Sequence, residues 1–470
     1  LVYLMLTGAH THAFSLHPEH MLRQVRDEPP LPFSAQGPAR LPATERVLRR
    51  ALSKDPDDRY PSLAGLLRSL RAAAASDRAA APVARPGGGG KLLDRVLSRL
   101  DVPGPLFDAP LEPPTASVTN GAAGFAYALL RIAQRRGDGH LLALADAWAV
   151  RAAAAGEEAF VNESLGIVPA LTGGASLYHQ VSGVHCVRAL IARARGDAGS
   201  RDAALEAFLR AASAPCPELD VAFGRSGLLL GCATLLEECA GSPLDGGLRS
   251  LGARLSDSVR SELACAPPIA HGQRLRALGA AHGWAGCLFA LLRWARASST
   301  PLAGEVPGLL DQLGALAHPA GRGLLWPFRA GGPRPDPLMG ASWCNGGTGL
   351  VPLWWLARTL TGEPRYEEWA RGAAWAACEA PLPGPADLCC GLAGRAYALL
   401  GQHAMTGDAL WLARAETLAA HAATRVLEAA QRPDSLHKGE IGVALLIGEL
   451  DTPHAARMPF YEGEGSPPPR

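Results

Sequence analysis

Two kinds of apolar segment alternate through most of the chain. One kind is apolar almost all round, as in GFAYALL from Gly124, LLLGCATLL from Leu228, CLFALLRW from Cys287 and VALLIGEL from Val443. The other carries apolar residues at three- and four-residue spacing with charges between them: HLLALADAWAVRA, SRDAALEAFLRAA, LRSLGARLSDSVRSELA and DALWLARAETLAAHAATRVLEAA. Both patterns have the helical period, and they differ in how much of the helix must be hidden from water. An inner ring of buried helices wrapped by an outer ring of amphipathic ones satisfies both. The pattern therefore predicts an all-α fold, an α/α toroid.

A short signature, Gly-x-x-Gly, precedes each fully apolar run. It starts at Gly121, Gly224, Gly283, Gly346, Gly391 and Gly439, and a seventh copy has Gln180 in the first place and keeps Gly183. The intervals are 59, 44, 59, 63, 45 and 48 residues, each long enough for one helical hairpin. Seven hairpins follow, with glycines that allow a sharp entry into each inner helix and a close approach of backbones at one end of the ring. Residues beside the signatures should then meet in space.

Composition narrows the function. With 45 Lys and Arg against 44 Asp and Glu among 470 residues, the net charge of +1 provides no global field for nucleic acid or an anionic membrane. No apolar run is long enough to span a bilayer, and the N-terminus lacks the basic flank and cleavage site of a signal peptide, so a soluble cytoplasmic protein is expected. The ten cysteines read as buried thiols or metal ligands, not as a disulfide framework. AAAASDRAAAPVARPGGGG offers little side chain to bury and reads as a linker over residues 72–92. It separates a small helical segment, 1–71, from the repeats at 93–455, and a Pro/Gly tail follows at 456–470, where Phe460 and Tyr461 are expected to dock briefly.

The chemistry sits beside the signatures: Asn120, His179, Asp220, His282, Cys344, the pair Cys389 and Cys390, and His437 with Lys438. Two adjacent repeats bring Cys344, Cys389 and Cys390 together, and three thiolates with one open position make a tetrahedral zinc site. Cys287, five residues after His282, is left with the other cysteines as core. His179 is expected to cap or pack. His437 and Lys438 read either as a solvated helix start or as groups that bind peptide or phosphate. Ahead of the linker, His10, His12, His17 and His20 read as solvated loop histidines.

The signatures DVAFGRSG, AHGWAG, WCNGGTG, CCGLAG and HKGEIG resemble the successive motifs of the lanthionine synthetase C-like cyclases, and the likeness runs from about Leu93 to Leu450. It implies a peptide cysteine adding to dehydroalanine or dehydrobutyrine in the same ribosomally made precursor, which closes a thioether ring. On that likeness Cys344, Cys389 and Cys390 bind Zn2+, His282 supplies or relays the proton, and Asp220 orients His282 or acts as the thiol's base. The second zinc motif is Cys-Cys-Gly where many members have Cys-His-Gly. Asn345 stands where Tyr or His is common, and Gly340 where some members have an Arg.

The first 70 residues, with LVYLMLTG and then KDPDDR at 54–59, resemble the end of a Ser/Thr protein kinase C-lobe. The sequence has no glycine-rich phosphate loop, strand lysine, HRD loop or DFG turn, so it is not expected to transfer phosphate. A kinase end ahead of such a cyclase resembles the kinase-cyclase lanthipeptide synthetases. Three zinc cysteines point to the zinc-bearing class, called class IV, over class III, with lyase and kinase domains expected outside this chain. The rival reading is a non-catalytic peptide-binding or regulatory toroid that keeps zinc as a structural ion.

Overall fold

The structure is a computed structural model that describes residues 2–7, 10–12, 14, 18–33, 41–80, 87–102, 104–266, 268–271, 275–382, 384–429 and 433–464. It divides into two compact units, residues 1–85 and 86–470.

The first unit contains α1 (Val2–Thr7), α2 (Pro18–Asp27), α3 (Pro42–Ala51) and α4 (Leu63–Ala80). Tyr3, Phe33 and Leu48 form its small core, in which Tyr3 meets Phe33 edge-on. In the turn between α3 and α4, Asp55 caps the Asp57 amide at 2.9 Å, and Arg59 donates to the Ser53 carbonyl at 2.8 Å. His12 departs from the expectation of a solvated loop histidine: it is buried, and its Nε2 lies 2.9 Å from the Glu28 carbonyl. His17 lies outside the described residues.

The second unit is the expected double ring. Its inner helices are α6 (Ala122–Arg136), α8 (Val181–Ala194), α10 (Arg225–Glu238), α12 (Trp284–Ser298), α14 (Leu350–Thr361), α16 (Leu392–Thr406) and α18 (Glu440–Glu449). The outer helices are α5 (Gly87–Leu100), α7 (Gly139–Ala153), α9 (Ala198–Ala212), α11 (Asp245–Cys265), α13 (Val306–Gly314), α15 (Pro364–Glu379) and α17 (Ala409–Glu428). Helix α18 packs on α6, which closes the inner ring, and α5 packs on α17 and α18, which completes the outer one. Asp138, Asp197 and Asp408 cap the first turns of α7, α9 and α17. The longest interval between signatures contains a small antiparallel hairpin, β1 (His318–Ala320) with β2 (Gly323–Leu325), inserted between α13 and α14.

Each inner helix starts at a signature, and the reason for glycine is space. A Cβ on Gly121, Gly224, Gly283, Gly346, Gly391 or Gly439 would overlap the backbone six residues earlier, and the second glycine of every signature has the same neighbour relation. The backbone at these first glycines is ordinary extended chain, so close approach and not unusual torsion selects the residue.

Two expectations about the ends of this unit are corrected. The stretch read as a linker is helix on both sides of residues 81–86, which lie outside the described residues. Its glycines begin α5, where Gly88 faces Leu427 and Gly89 faces Ile447 at ordinary packing distance. The tail likewise docks permanently through residue 464: Met458, Phe460 and Tyr461 are buried in the ring, with Tyr461 stacked on Phe289 and Phe460 edge-on to Tyr127. Residues 465–470 lie outside the described residues.

Candidate metal and proton-transfer site

The residue two places before each signature belongs to a hydrogen-bonded ring around the mouth of the toroid. Ala222 N donates to Ala281 O, Ala281 N to Cys344 O, Cys344 N to Cys389 O, Cys389 N to His437 O, His437 N to Thr119 O and Thr119 N to Tyr178 O, at 2.8 to 3.2 Å. The last gap is bridged by a side chain, with Ser176 Oγ donating to Ala222 O at 2.9 Å. This ring sets all seven signatures in one register. It places Cys344, Cys389 and His437 at one equivalent position, and His179, His282, Asn345, Cys390 and Lys438 at the next.

The three cysteines expected together are together. Cys344 Sγ lies 3.4 Å from Cys390 Sγ, Cys390 Sγ lies 3.7 Å from Cys389 Sγ, and all three sulfurs fall within 4.8 Å of one another. Such a cluster could hold a metal ion. Asn345 Nδ2 stands 3.4 Å from Cys344 Sγ, and the Asp387 carboxylate accepts from the Cys390 amide at 2.8 Å.

Lys438 is neither solvated nor aimed at bulk solvent: its Nζ donates to Cys390 Sγ at 2.9 Å. Hydrogen bonding with the Cys344 and Cys389 thiols, joined by the Lys438 ammonium, holds the Cys390 thiol well below its ordinary value. Burial works against the charge on Lys438, but the sulfurs of Cys389 and Cys390 outweigh it and keep the ammonium above its usual range. Burial also raises Asp387.

The Asp220 carboxylate serves two partners. Oδ1 accepts from the Phe223 amide at 2.8 Å, the capping geometry of an acidic residue in a turn, and Oδ2 lies 2.9 Å from His282 Nδ1. The cap and the contact with His282 coexist. On the far side of His282, Phe223 is sandwiched, with ring centroids 5.0 Å from His282 and 5.1 Å from His179. Buried His179 packs, as expected. His437 contradicts the solvated reading: it is buried between Tyr178 and Trp343, and neither ring nitrogen has a hydrogen-bond partner. Burial pushes both imidazoles down to about 3. Cys287 stays in the core, where burial pushes its thiol up to about 12.

The contact from Lys438 to Cys390 escaped the sequence reading. Its signal was the shared place of the two residues, each directly before a signature glycine in neighbouring repeats. No helix among the described residues is long and apolar enough to cross a membrane.

Comparison with known proteins follows this geometry. A family profile described as lanthionine synthetase C-like protein matches residues 112–462. The LanC-like protein GCL1 of Arabidopsis thaliana is 28% identical over 312 residues, covering 60% of this chain and 68% of that protein. The solved structure of a nisin cyclase is similar with a TM-score of 0.55 at 14% identity, over 77% of this chain and 93% of its own, a likeness of fold.

Proposed function

The chain belongs to the lanthionine synthetase C-like family, and from that premise we propose that it is a zinc-dependent thioether cyclase. Its substrate is a precursor peptide in which a cysteine adds to dehydroalanine or dehydrobutyrine. The observation that carries the reading is the convergence of three sulfurs from adjacent repeats beside the His282–Asp220 pair of the next segment.

The donor set fits zinc. Three sulfurs bound tetrahedrally at about 2.3 Å stand about 3.8 Å apart, and the separations of 3.4 and 3.7 Å here bracket that figure closely. Zinc held by Cys344, Cys389 and Cys390 would supply an exchangeable fourth position that keeps a substrate cysteine as thiolate near neutral pH. Addition of the sulfur to the alkene carbon leaves an enolate that takes one proton on carbon. His282 is the donor, with a side chain 37% exposed at the mouth. Asp220 occupies Nδ1, which leaves Nε2 to hand over the proton and steadies the imidazolium when it reloads.

Residues 1–85 carry the resemblance to the end of a kinase C-lobe. The reading therefore sets cyclisation after phosphorylation and elimination performed by segments outside this chain. Reduced cysteines, all ten of them free, suit a cytoplasmic setting. The second reading is a non-catalytic peptide-binding toroid. Asn345 and Gly340 favour it, since the Tyr or His and the Arg found in relatives at these places are missing here.

The test is the zinc content of the purified full chain, followed by incubation with a dehydrated peptide containing one cysteine. Cyclisation leaves the mass unchanged and removes the thiol from alkylation. About one zinc per chain with loss of the alkylatable thiol supports the cyclase. A zinc-loaded protein that leaves the thiol free moves the second reading ahead, and absence of zinc overturns both forms of the metal assignment.

A further inference from the structure

We propose that Lys438 is a positioning residue that offsets the extra negative charge of an all-sulfur site, so that a fourth thiolate can bind there. The proposal rests on the reading of Cys344, Cys389 and Cys390 as zinc ligands.

The argument is charge arithmetic set on geometry. Three thiolates around a divalent cation leave a net charge of −1, and an arriving substrate thiolate makes it −2. A set with one imidazole in place of a thiolate passes from 0 to −1. The all-sulfur site therefore has to admit an anion against one more unit of charge, in a half-buried mouth where solvent screens poorly.

Lys438 supplies the missing positive charge at the right sulfur. Its Nζ lies 2.9 Å from Cys390 Sγ, and its own amide is anchored by donation to Ser435 Oγ at 2.8 Å. The Asp387 carboxylate, bonded to the Cys390 amide, adds a further acidic group to the same spot, so the need for a cation is greater than the sulfurs alone imply. An ammonium has three donors and no acceptor, so it can neutralise a thiolate without competing for the metal. The position explains why the seventh repeat brings a lysine to the mouth: it faces the cysteine at the equivalent place of the sixth.

The test compares wild type, Lys438→Met and Lys438→Arg as full chains with Co2+ in place of zinc. Metal content, metal affinity by competition with a chromophoric chelator, and the sulfur-to-cobalt charge-transfer band are measured during titration with 2-mercaptoethanol. The expected result is that Lys438→Met keeps the helical circular dichroism and binds the thiol about tenfold more weakly, equivalent to about 1.4 kcal/mol, while Lys438→Arg recovers most of the loss. A thiol titration of Lys438→Met that superimposes on wild type overturns the proposal and leaves the metal assignment standing. If Lys438→Met loses the metal as well, recovery of both metal and thiol in Lys438→Arg supports the charge role, and failure to recover overturns it. Wild-type protein that takes up no metal overturns the underlying reading instead.

Discussion

At the mouth of the ring, His437 is buried with neither ring nitrogen bonded, and Asn120, His179 and Asn345 each leave a polar atom unmatched. Nine residues further along the same inner helices, about 14 Å away at 1.5 Å per residue, buried charges meet their opposites. Arg131 pairs with Glu449 at 2.5 Å and with Glu464 at 3.4 Å, Arg293 pairs with Glu237 at 2.6 Å, and Tyr397 donates to Glu449 at 2.9 Å. The tail adds its own acceptors to this layer, where Arg293 donates to the Tyr461 carbonyl at 2.9 Å. An unmatched buried polar atom costs about 1–3 kcal/mol, so the two layers differ in what they are built for. The deep layer holds the ring closed, and the mouth keeps binding capacity unspent for something that arrives.

The largest break in that comparison comes at the sulfurs. Cys389→Ala removes one of three ligands, and metal content should fall from about one per chain to near zero, with cyclisation reduced at least about a thousandfold. The helical circular dichroism should persist, because the deep layer is untouched. Metal retained at the wild-type level would show that these sulfurs are not the site.

The reverse break is Arg131→Met. Removing one partner strands Glu449 in the interior, and a loss of about 3–5 kcal/mol of stability is expected, read as a lowered urea midpoint, while metal content per folded chain stays the same. A midpoint shift worth less than about 1 kcal/mol would mean that the deep layer does not hold the ring.

His282→Ala separates chemistry from binding at the mouth itself. Loss of the proton donor should slow cyclisation by about 10²- to 10³-fold, with metal content and thiol binding to the Co2+ protein as in wild type. Asp220→Asn should fall short of that loss, because the imidazole remains and loses its orientation. If His282→Ala cyclises at the wild-type rate, the proton comes from elsewhere.

The seven signatures were legible because each one records a local crowding: a glycine is demanded wherever the helix entry passes the backbone six residues behind it. That made the ring, the convergence of Cys344, Cys389 and Cys390, and the adjacency of His282 and Asp220 readable from spacing. What stayed hidden depends on partners distant in the chain. Arg131 and Glu449 are 318 residues apart and meet when the last inner helix closes on the first. The glycines of α5 looked like a flexible joint, yet small residues are what let that helix lie against Leu427 and Ile447. Phe460 and Tyr461 looked like the start of a loose tail, and their destination among Tyr127, Phe289 and Trp343 exists once the ring has formed. The direction of Lys438 was missed for the same reason, since nothing within its own repeat tells it from a solvated lysine.

The smallest effect bears on why the mouth tolerates neutral, unmatched histidines. His179 and His437 sit near pKa 3 through burial, against about 6.5 in the unfolded chain. The unfolded chain therefore takes the protons first. Stability is fully present above about pH 6.5 and is lost as pH falls toward 3, with a slope of up to about 1.4 kcal/mol per pH unit for each histidine. At pH 5.5 each costs about 1.4 kcal/mol relative to neutral pH. His185, pushed down to about 4 by burial and by Arg188 and Arg210, contributes to the same slope away from the mouth. His437→Phe keeps the packing against Tyr178 and Trp343 and removes one titrating group. Urea unfolding of the metal-free protein, with chelator present so that ligand protonation does not enter, should show the variant losing about 1.4 kcal/mol less than wild type between pH 7 and pH 5.5. Curves that run parallel across that window would mean that His437 is protonated in the folded ring, and the mouth would then contain a charge that a thiolate could use.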